Sequence, residues 1–413
     1  VSGALIAGSL AGMSCEEQWK PPQAAATSTE ATALATAAPE RTSASDVDVQ
    51  IVDALNMRYG VHPGFRSNHA KGVVVEGNFT PTARAAELSR SPIFAGTTLP
   101  VTVRFSDASG LPDLHDAAPA ARPYGMSIKF HLPDGTDSDI VTNTLKFFTV
   151  ATPEDFRDLQ LAAATSPPVG PKSAQFEAFL KAHPSVERAN ATLFTPDSFA
   201  HAGYFGIDAF VFINDSGAKQ PFRYMIEPER VVQLRDEVAQ KQQTNFLVDE
   251  LPQRLTRDPV IFHLKAQLAR PGDQTRDPTQ PWPDDREVAD LGIVTLIAPV
   301  DDSLTTERTL LFTPGRLTDG IEPSDDPLIA ARDGSYAVSL GRRSPGLAGS
   351  RFQREAAQRL QRDRAATGSR EDATTTSKLS EPTAALPEAR PTSANQQPRR
   401  PTQPPDDVDD YGF

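Results

Sequence analysis

In the stretch LIAARDGSYAVSLGRR an arginine stands four residues ahead of a tyrosine, as Arg332 and Tyr336. On a helix, residues four apart share a face, so the guanidinium can lie beside the phenol. A cation in that place favours the phenolate, an anionic oxygen able to bind a ferric ion. An iron held from one side by Tyr336 calls for reactive groups on the other. More than two hundred residues upstream, HPGFRSNHAKGVVVEGNF supplies Arg66 and His69, and PVTVRFSDASG supplies Arg104 and Ser106. Each signal also has an ordinary explanation. An R-x-x-x-Y pair is often a surface arginine lying over an aromatic ring. His69, just ahead of the alternating Val73 and Val75, reads by default as a hydrogen-bonded histidine at a strand edge. Ser106 follows Val101, Val103 and Phe105 in strict alternation, and is first of all a residue on a half-buried strand.

Taken together, five segments resemble the heme catalases, and in particular the shorter catalase-related peroxidases. They are RSNHAKGVVVEGNF, VTVRFSDASG, ARPYGMSIKFHLPDG, DPTQPWPDDREVADLGIVTL and FTPGRLTDGIEPSDDPLIAARDGSY, in family order between about residues 56 and 343. The resemblance implies heme b as cofactor, with Tyr336 as proximal iron ligand and Arg332 as the neighbour that keeps it deprotonated. It makes His69 the distal histidine and Ser106 the serine that orients it. Arg66 and Arg104 match arginines that hold the heme carboxylates or flank the pocket, and Arg343 is a third candidate; buried carboxylates need cations. Phe156, after TPED, is the nearest candidate for the aromatic that stacks on the distal heme face.

One departure affects the expected chemistry. Full-size catalases carry a distal asparagine in a run resembling VGNNTPxFF, where this chain reads IVTNTLKFF. Counting back from Phe147 and Phe148 without a gap puts Thr142 at the asparagine position and Asn143 one place late. A one-residue shift on a strand reverses the side chain's facing. Either a local bulge restores Asn143 to the pocket or the pocket lacks its amide, and the second is the expectation here.

By this resemblance, His69 takes a proton from one peroxide oxygen and gives it to the departing one, general acid and base work in one residue. Heterolysis leaves a ferryl heme, stabilised by the anionic oxygen ligand. A true catalase reduces it with a second hydrogen peroxide, whereas a peroxidase uses an organic electron donor. With the amide displaced and the chain shorter than a full catalase subunit, the peroxidase reading leads, with weak or no catalase activity. A hydroperoxide isomerase or dehydratase, and a heme-binding peroxide sink or sensor, are the alternatives. NADPH binding is not expected, and the oligomer is expected to be a monomer or dimer.

Composition narrows the partners. The 413 residues carry 54 acidic against 41 basic side chains, a net charge of −13, which argues against nucleic acid and anionic lipid surfaces. The single cysteine excludes an internal disulfide, and seven scattered histidines show no HExxH or similar metal spacing. At the N-terminus, VSGALIAGSLAG is too short to span a bilayer. It reads as the remnant of an export signal or anchor, followed by a flexible linker to residue 45, so export to the periplasm or beyond is expected and a cytoplasmic location is the alternative. Cys15 fits a lipidation site only loosely, because Gly12 stands where an aliphatic residue is wanted.

The elements that must position these groups begin near Val47, where IVDALNMRYG reads as a short helix. Residues 73 to 150 alternate as strands broken by Pro and Gly: VVVEGNF, LPVTVRF, YGMSIKFHL and DIVTNTLKFF. PEDFRDLQLAAA opens a helix on a proline and an acidic first turn. FGIDAFVFIND, QPFRYMIEPE and REVADLGIVTLIAP return to strand alternation, and ERVVQLRDEVAQKQQTNFLVDELPQRL reads as one helix. Strands interrupted by helices suit an α+β fold, and the family resemblance makes it a catalase-like antiparallel β-barrel with inserted helices around a buried heme, over residues 46–365. In that picture His69 and Ser106 lie on early strands and look into one end of the barrel, and Tyr336 arrives on a helix from the opposite side of the heme. A charged helix RFQREAAQRLQRDR and a disordered Pro/Ser/Thr-rich tail over 366–413 follow.

Overall fold

A computed structural model describes residues 47–344 apart from 168–169. The leader and linker over 1–45, Cys15, the RFQREAAQRLQRDR helix and the 366–413 tail lie outside the described residues. All described residues fall within the unit Ala44–Phe413.

The strands are β1 (Gly72–Pro81), β2 (Leu99–Ser106), β3 (Gly125–His131), β4 (Asp137–Asn143), β5 (Thr195–Pro196), β6 (Tyr204–Phe205), β7 (Phe210–Ile213), β8 (Lys219–Pro228), β9 (Gln233–Leu234), β10 (Val260–Leu268), β11 (Val288–Pro299) and β12 (Ile321–Pro323). The helices are α1 (Val47–Tyr59), α2 (Ala83–Leu88), α3 (Pro153–Ala164), α4 (Ala174–Ala182), α5 (Ser185–Asn190), α6 (Asp236–Ala239), α7 (Phe246–Leu255), α8 (Ser303–Thr309) and α9 (Pro327–Arg343). The sheet runs β10-β11-β1-β2-β3-β4-β6-β8, and β8 pairs back onto β10, so an eight-stranded antiparallel barrel closes. This is the α+β class expected.

Alternation fills the barrel. Val73, Val75 and Phe79 of β1 lie across from Phe105, Val103 and Leu99 of β2, and Met126, Ile128 and Phe130 of β3 continue the same face. All are buried in one core. The other face of these strands carries Arg104, Ser106, Ser127, Val141 and Asn143, which point away from that core. Ser106 therefore looks out through the barrel's side wall, not into one end. His69 is on no strand; it sits in the loop before β1. The expectation of a site at a barrel end is corrected by this register, because the barrel interior is already filled with aromatic and aliphatic side chains.

The segment from Glu229 to Leu255 is broken as well. Gln233–Leu234 pairs with Thr195–Pro196, and only α6 and α7 are helical. Between them Thr244 O accepts from Asp116 N, Asn245 Oδ1 accepts from Lys71, and Leu247 N donates to the Asp116 carboxylate. These tertiary hydrogen bonds override the local helix propensity.

Candidate active site

Helix α9 begins on its own sequence signals. Asp326 caps it, accepting from Leu328 N at 2.9 Å, and Pro327 occupies the first turn, where its missing N–H costs nothing. From there Leu328, Arg332, Tyr336, Ser339 and Arg343 recur at spacings of three and four, a single stripe along the helix. That stripe forms one wall of a cavity of about 510 Å³. Gly334 lies on the side toward α1, where a Cβ would collide with the Asp48 carboxylate, so only glycine lets the two helices approach this closely. Arg342 and Asp53 pair at 2.7 Å across the same contact.

The facing wall is the outer surface of the barrel. Arg104, Ser106, Gly125, Ser127, Val141 and Asn143 line it, with the loop Arg66–His69 at one side. Helix α1 adds Ile51, Val52 and Leu55, and α3 adds Phe156 and Leu159. The volume falls in the range of about 300–1,000 Å³ usual for cofactor and ligand sites.

His69 is held by its backbone and its ring. Its φ of +56° makes it the non-glycine residue in the left-handed region among the described residues. Such a conformation costs about 1 kcal/mol or more and persists where neighbours over-determine it. Here they do: His69 N and Ala70 N donate to the Ala108 and Ser109 carbonyls, and Arg104 Nη2 donates to His69 O at 2.9 Å. The ring's Nδ1 lies 3.0 Å from Ser106 Oγ. A Cβ on Gly125 would come within 2.9 Å of Ser106 Oγ and 3.3 Å of the imidazole, so the glycine makes room for this pair. Burial first, and then the Arg104 guanidinium, hold the imidazole's pKa down to about 3. His69 is therefore a neutral base above mild acid, with Nδ1 occupied by Ser106 and Nε2 left for the cavity.

On α9, Arg332 Nε donates to the Tyr336 phenolic oxygen at 3.1 Å, and Arg332 Nη1 donates to Asp208. Burial opposes the charge on Arg332, but Asp208 and Tyr336 outweigh it and hold its pKa above the usual arginine range.

The distal amide differs from expectation. Ser106 is paired across the strands with Gly125, and Gly125 with Asn143. Side chains directly opposite share a face, so Asn143 stands on the cavity side, on the same face as Ser106 with Gly125 between them. Thr142 pairs with Met126, itself paired with Phe105 of the barrel core, and its hydroxyl donates to Met126 O. The gap-free count that put Thr142 in the asparagine's place is overturned by this register, and no bulge in the β3–β4 ladder is needed. Asn143 Oδ1 accepts from Leu145 N at 2.8 Å, which leaves its Nδ2 end to donate. Phe156 lines the cavity, stacked on Phe148 at 5.7 Å; Phe148 lines it too.

Arg66, Arg104 and Arg343 converge on one part of the wall, together with a residue absent from the sequence reading, Glu307 of α8. Arg104 Nε and Nη2 donate to Glu307 Oε2 at 2.9 and 2.6 Å, and Arg66 Nη1 does so at 3.2 Å. Arg66 Nη2 and Arg343 Nη2 both donate to Leu310 O at 2.8 Å. Asp208 was also unforeseen. Neither carboxylate belongs to a motif; each is recognisable only once the fold brings it to an arginine. Ser335 Oγ, in the same cavity wall, is buried without a hydrogen-bond partner among the described residues. No described helix is long and apolar enough to cross a membrane.

Comparison with known proteins identifies the family. A family model described as catalase matches residues 31–354. A catalase-related peroxidase of Synechococcus elongatus is 35% identical over 303 residues, spanning 72% of this chain and 89% of that protein. Another, from Mycolicibacterium paratuberculosis, is 36% identical over 300 residues, 71% and 94% of the two chains. A catalase of Pseudomonas syringae is 28% identical over 308 residues, 70% of this chain but 59% of that one. Among solved structures, a fungal catalase superposes with a TM-score of 0.63 at 20% identity, over 70% of this chain and 61% of that chain.

Proposed function

Because the chain belongs to the catalase family, we propose that it reduces hydrogen peroxide or an organic hydroperoxide at a heme b held by Tyr336, drawing electrons from a small organic donor and releasing little or no oxygen. Family membership makes it a heme peroxidase enzyme with peroxide as substrate. The donor route is supported by the relatives that match along nearly their whole length, which are named catalase-related peroxidases.

The residues present suit a heme. Three guanidinia meet in one wall of the cavity, which suits a cofactor with two carboxylate arms. Tyr336 would offer its phenolic oxygen to the iron, with the Arg332 guanidinium as the neighbouring cation. Apolar side chains from Ile51, Val52, Leu55, Val141, Phe148 and Phe156 suit a flat apolar ring. Heme supplies the iron that binds peroxide and accepts the oxidising equivalents of O–O cleavage.

The chain's own residues do the rest. His69 Nε2, neutral because of burial and the nearby cations, takes the proton from the attacking oxygen and returns it to the departing one. Ser106 fixes the ring's orientation through Nδ1. The single observation that carries this reading is the His69–Ser106 pair in the wall of the cavity that also holds Tyr336–Arg332.

Asn143 favours a second reading, a working catalase, because an amide donor in the wall of the cavity that His69 lines can orient a second hydrogen peroxide. One assay separates the two: the heme-loaded protein is given hydrogen peroxide with and without a phenolic donor while oxygen is recorded. Donor-dependent peroxide loss with little oxygen supports the peroxidase. Oxygen release at one molecule per two peroxides, unaffected by donor, establishes the catalase.

A further inference from the structure

The cation cluster of the cavity wall contains an anion of its own. Glu307 is 6% exposed and Arg104 5%, and both sit with Arg66 and Arg343 in a largely buried patch. Helix α8 fixes the carboxylate there. Asp302 caps the helix, accepting from Thr305 N at 3.0 Å. Ser303 Oγ accepts from Val74 N at 2.8 Å, which pins the first turn to β1, and Glu307 follows one turn later on the same face.

Each guanidinium has part of its donor set committed to protein acceptors. Arg104 gives two donors to Glu307 and one to His69 O; Arg66 gives one to Glu307 and one to Leu310 O; Arg343 gives two to the Arg308 and Leu310 carbonyls. Arg104 Nη1, Arg66 Nε and Arg343 Nη1 have no protein partner among the described residues. Three cations and one carboxylate sum to +2, the charge that two ionised carboxylate arms would cancel. Burying three like charges together is costly without a counter-ion.

We propose that Glu307 is a positioning residue for the cofactor: it is the built-in counter-ion that holds Arg66 and Arg104 in place and carries their charge until the cofactor's two carboxylates do so. The inference rests on the heme reading above. Two further features support it. Burial, and then Arg104 and Arg343, push the Arg66 pKa well below the usual arginine range, with Glu307 opposing. Burial and Arg104 likewise bring Arg343 down to about 9, again against Glu307. The neutral glutamine of Glu307→Gln keeps an oxygen acceptor for Arg104 but removes the charge; Glu307→Ala removes both.

The test compares thermal unfolding of the full chain, cofactor-free and heme-loaded, for the parent protein, Glu307→Gln and Glu307→Ala, with heme uptake followed by the Soret band. The expected result is a fall of about 5 °C or more for both variants without heme, most of which heme restores. Equal losses with and without heme would make Glu307 an ordinary structural residue and overturn the proposal, as would no loss in either state. If the parent itself takes up no heme, the heme reading fails rather than this one.

Discussion

Arg332 bridges two groups of opposite role: its Nε donates to the Tyr336 phenolic oxygen at 3.1 Å, and its Nη1 is held by the buried carboxylate of Asp208. Asp208 is 1% exposed, and its Oδ1 has no hydrogen-bond partner among the described residues. The arginine beside the candidate ligand is thus kept charged and oriented from behind by a residue just ahead of β7, far from α9 in sequence.

Removing that support should be costly. Asp208→Asn leaves the Arg332 guanidinium buried without its counter-ion, a change worth about 3–5 kcal/mol of stability in similar cases. Urea unfolding checks the loss. The same variant should weaken the tyrosinate features of the heme-loaded spectrum; unchanged stability would mean that solvent or another group neutralises Arg332.

His69 is the proton carrier. His69→Ala should lower kcat/KM for peroxide by about 10²–10⁴ while heme uptake persists. Rates and uptake measured on one preparation separate a chemical loss from a folding loss. Full activity in the variant would remove the proposed role.

The low pKa of His69 also predicts a pH dependence of stability. Its folded value of about 3 lies below the roughly 6.5 of an unfolded histidine, so folding favours the neutral ring. The stabilisation is fully present above about pH 6.5 and is lost as pH falls from there toward 3. Asp107 and Asp326, raised by burial to about 8, pull the other way as pH rises, so the comparison must isolate the histidine. Unfolding free energies of parent and His69→Gln, measured from pH 8 to 4, should converge toward the acid end. A constant difference would contradict the buried neutral ring.

Asn143 should matter more for oxygen release than for donor oxidation. Its amide lies on the cavity face, across Gly125 from Ser106, where it can orient a second hydrogen peroxide. Asn143→Ala is expected to cut any oxygen release by about tenfold or more, as loss of a positioned donor does, while peroxide-dependent oxidation of a phenol changes less. Parallel oxygen and dye assays decide it; equal losses would place Asn143 in the common step.

Much of this was legible in the sequence because local signals and the site coincide. The R-x-x-x-Y spacing needs only a helix to bring Arg332 to Tyr336, and Pro327 with Asp326 starts that helix. The alternation of β2 marks Ser106 as a residue with a defined facing, and PEDFRDLQLAAA marks α3 to the residue. What failed depends on tertiary register. Asn143 is assigned to the cavity by its pairing with Gly125, which a count from Phe147 cannot supply. Glu307 and Asp208 join the site through contacts across more than one hundred residues of sequence. The break between α6 and α7 comes from hydrogen bonds to Asp116 and Lys71 that no local pattern announces. The β10 strand, VIFHLKAQL, was missed although its alternation of buried and half-buried positions is clean.

The most direct test of the whole reading is the optical and resonance Raman spectrum of the ferric, heme-loaded protein beside that of Tyr336→Phe. The parent should show high-spin ferric heme with an iron–phenolate stretch, and the variant should bind heme more weakly and lack that stretch. Identical spectra from the two proteins, or no heme uptake by the parent, would contradict Tyr336 as the iron's ligand and the function built on it.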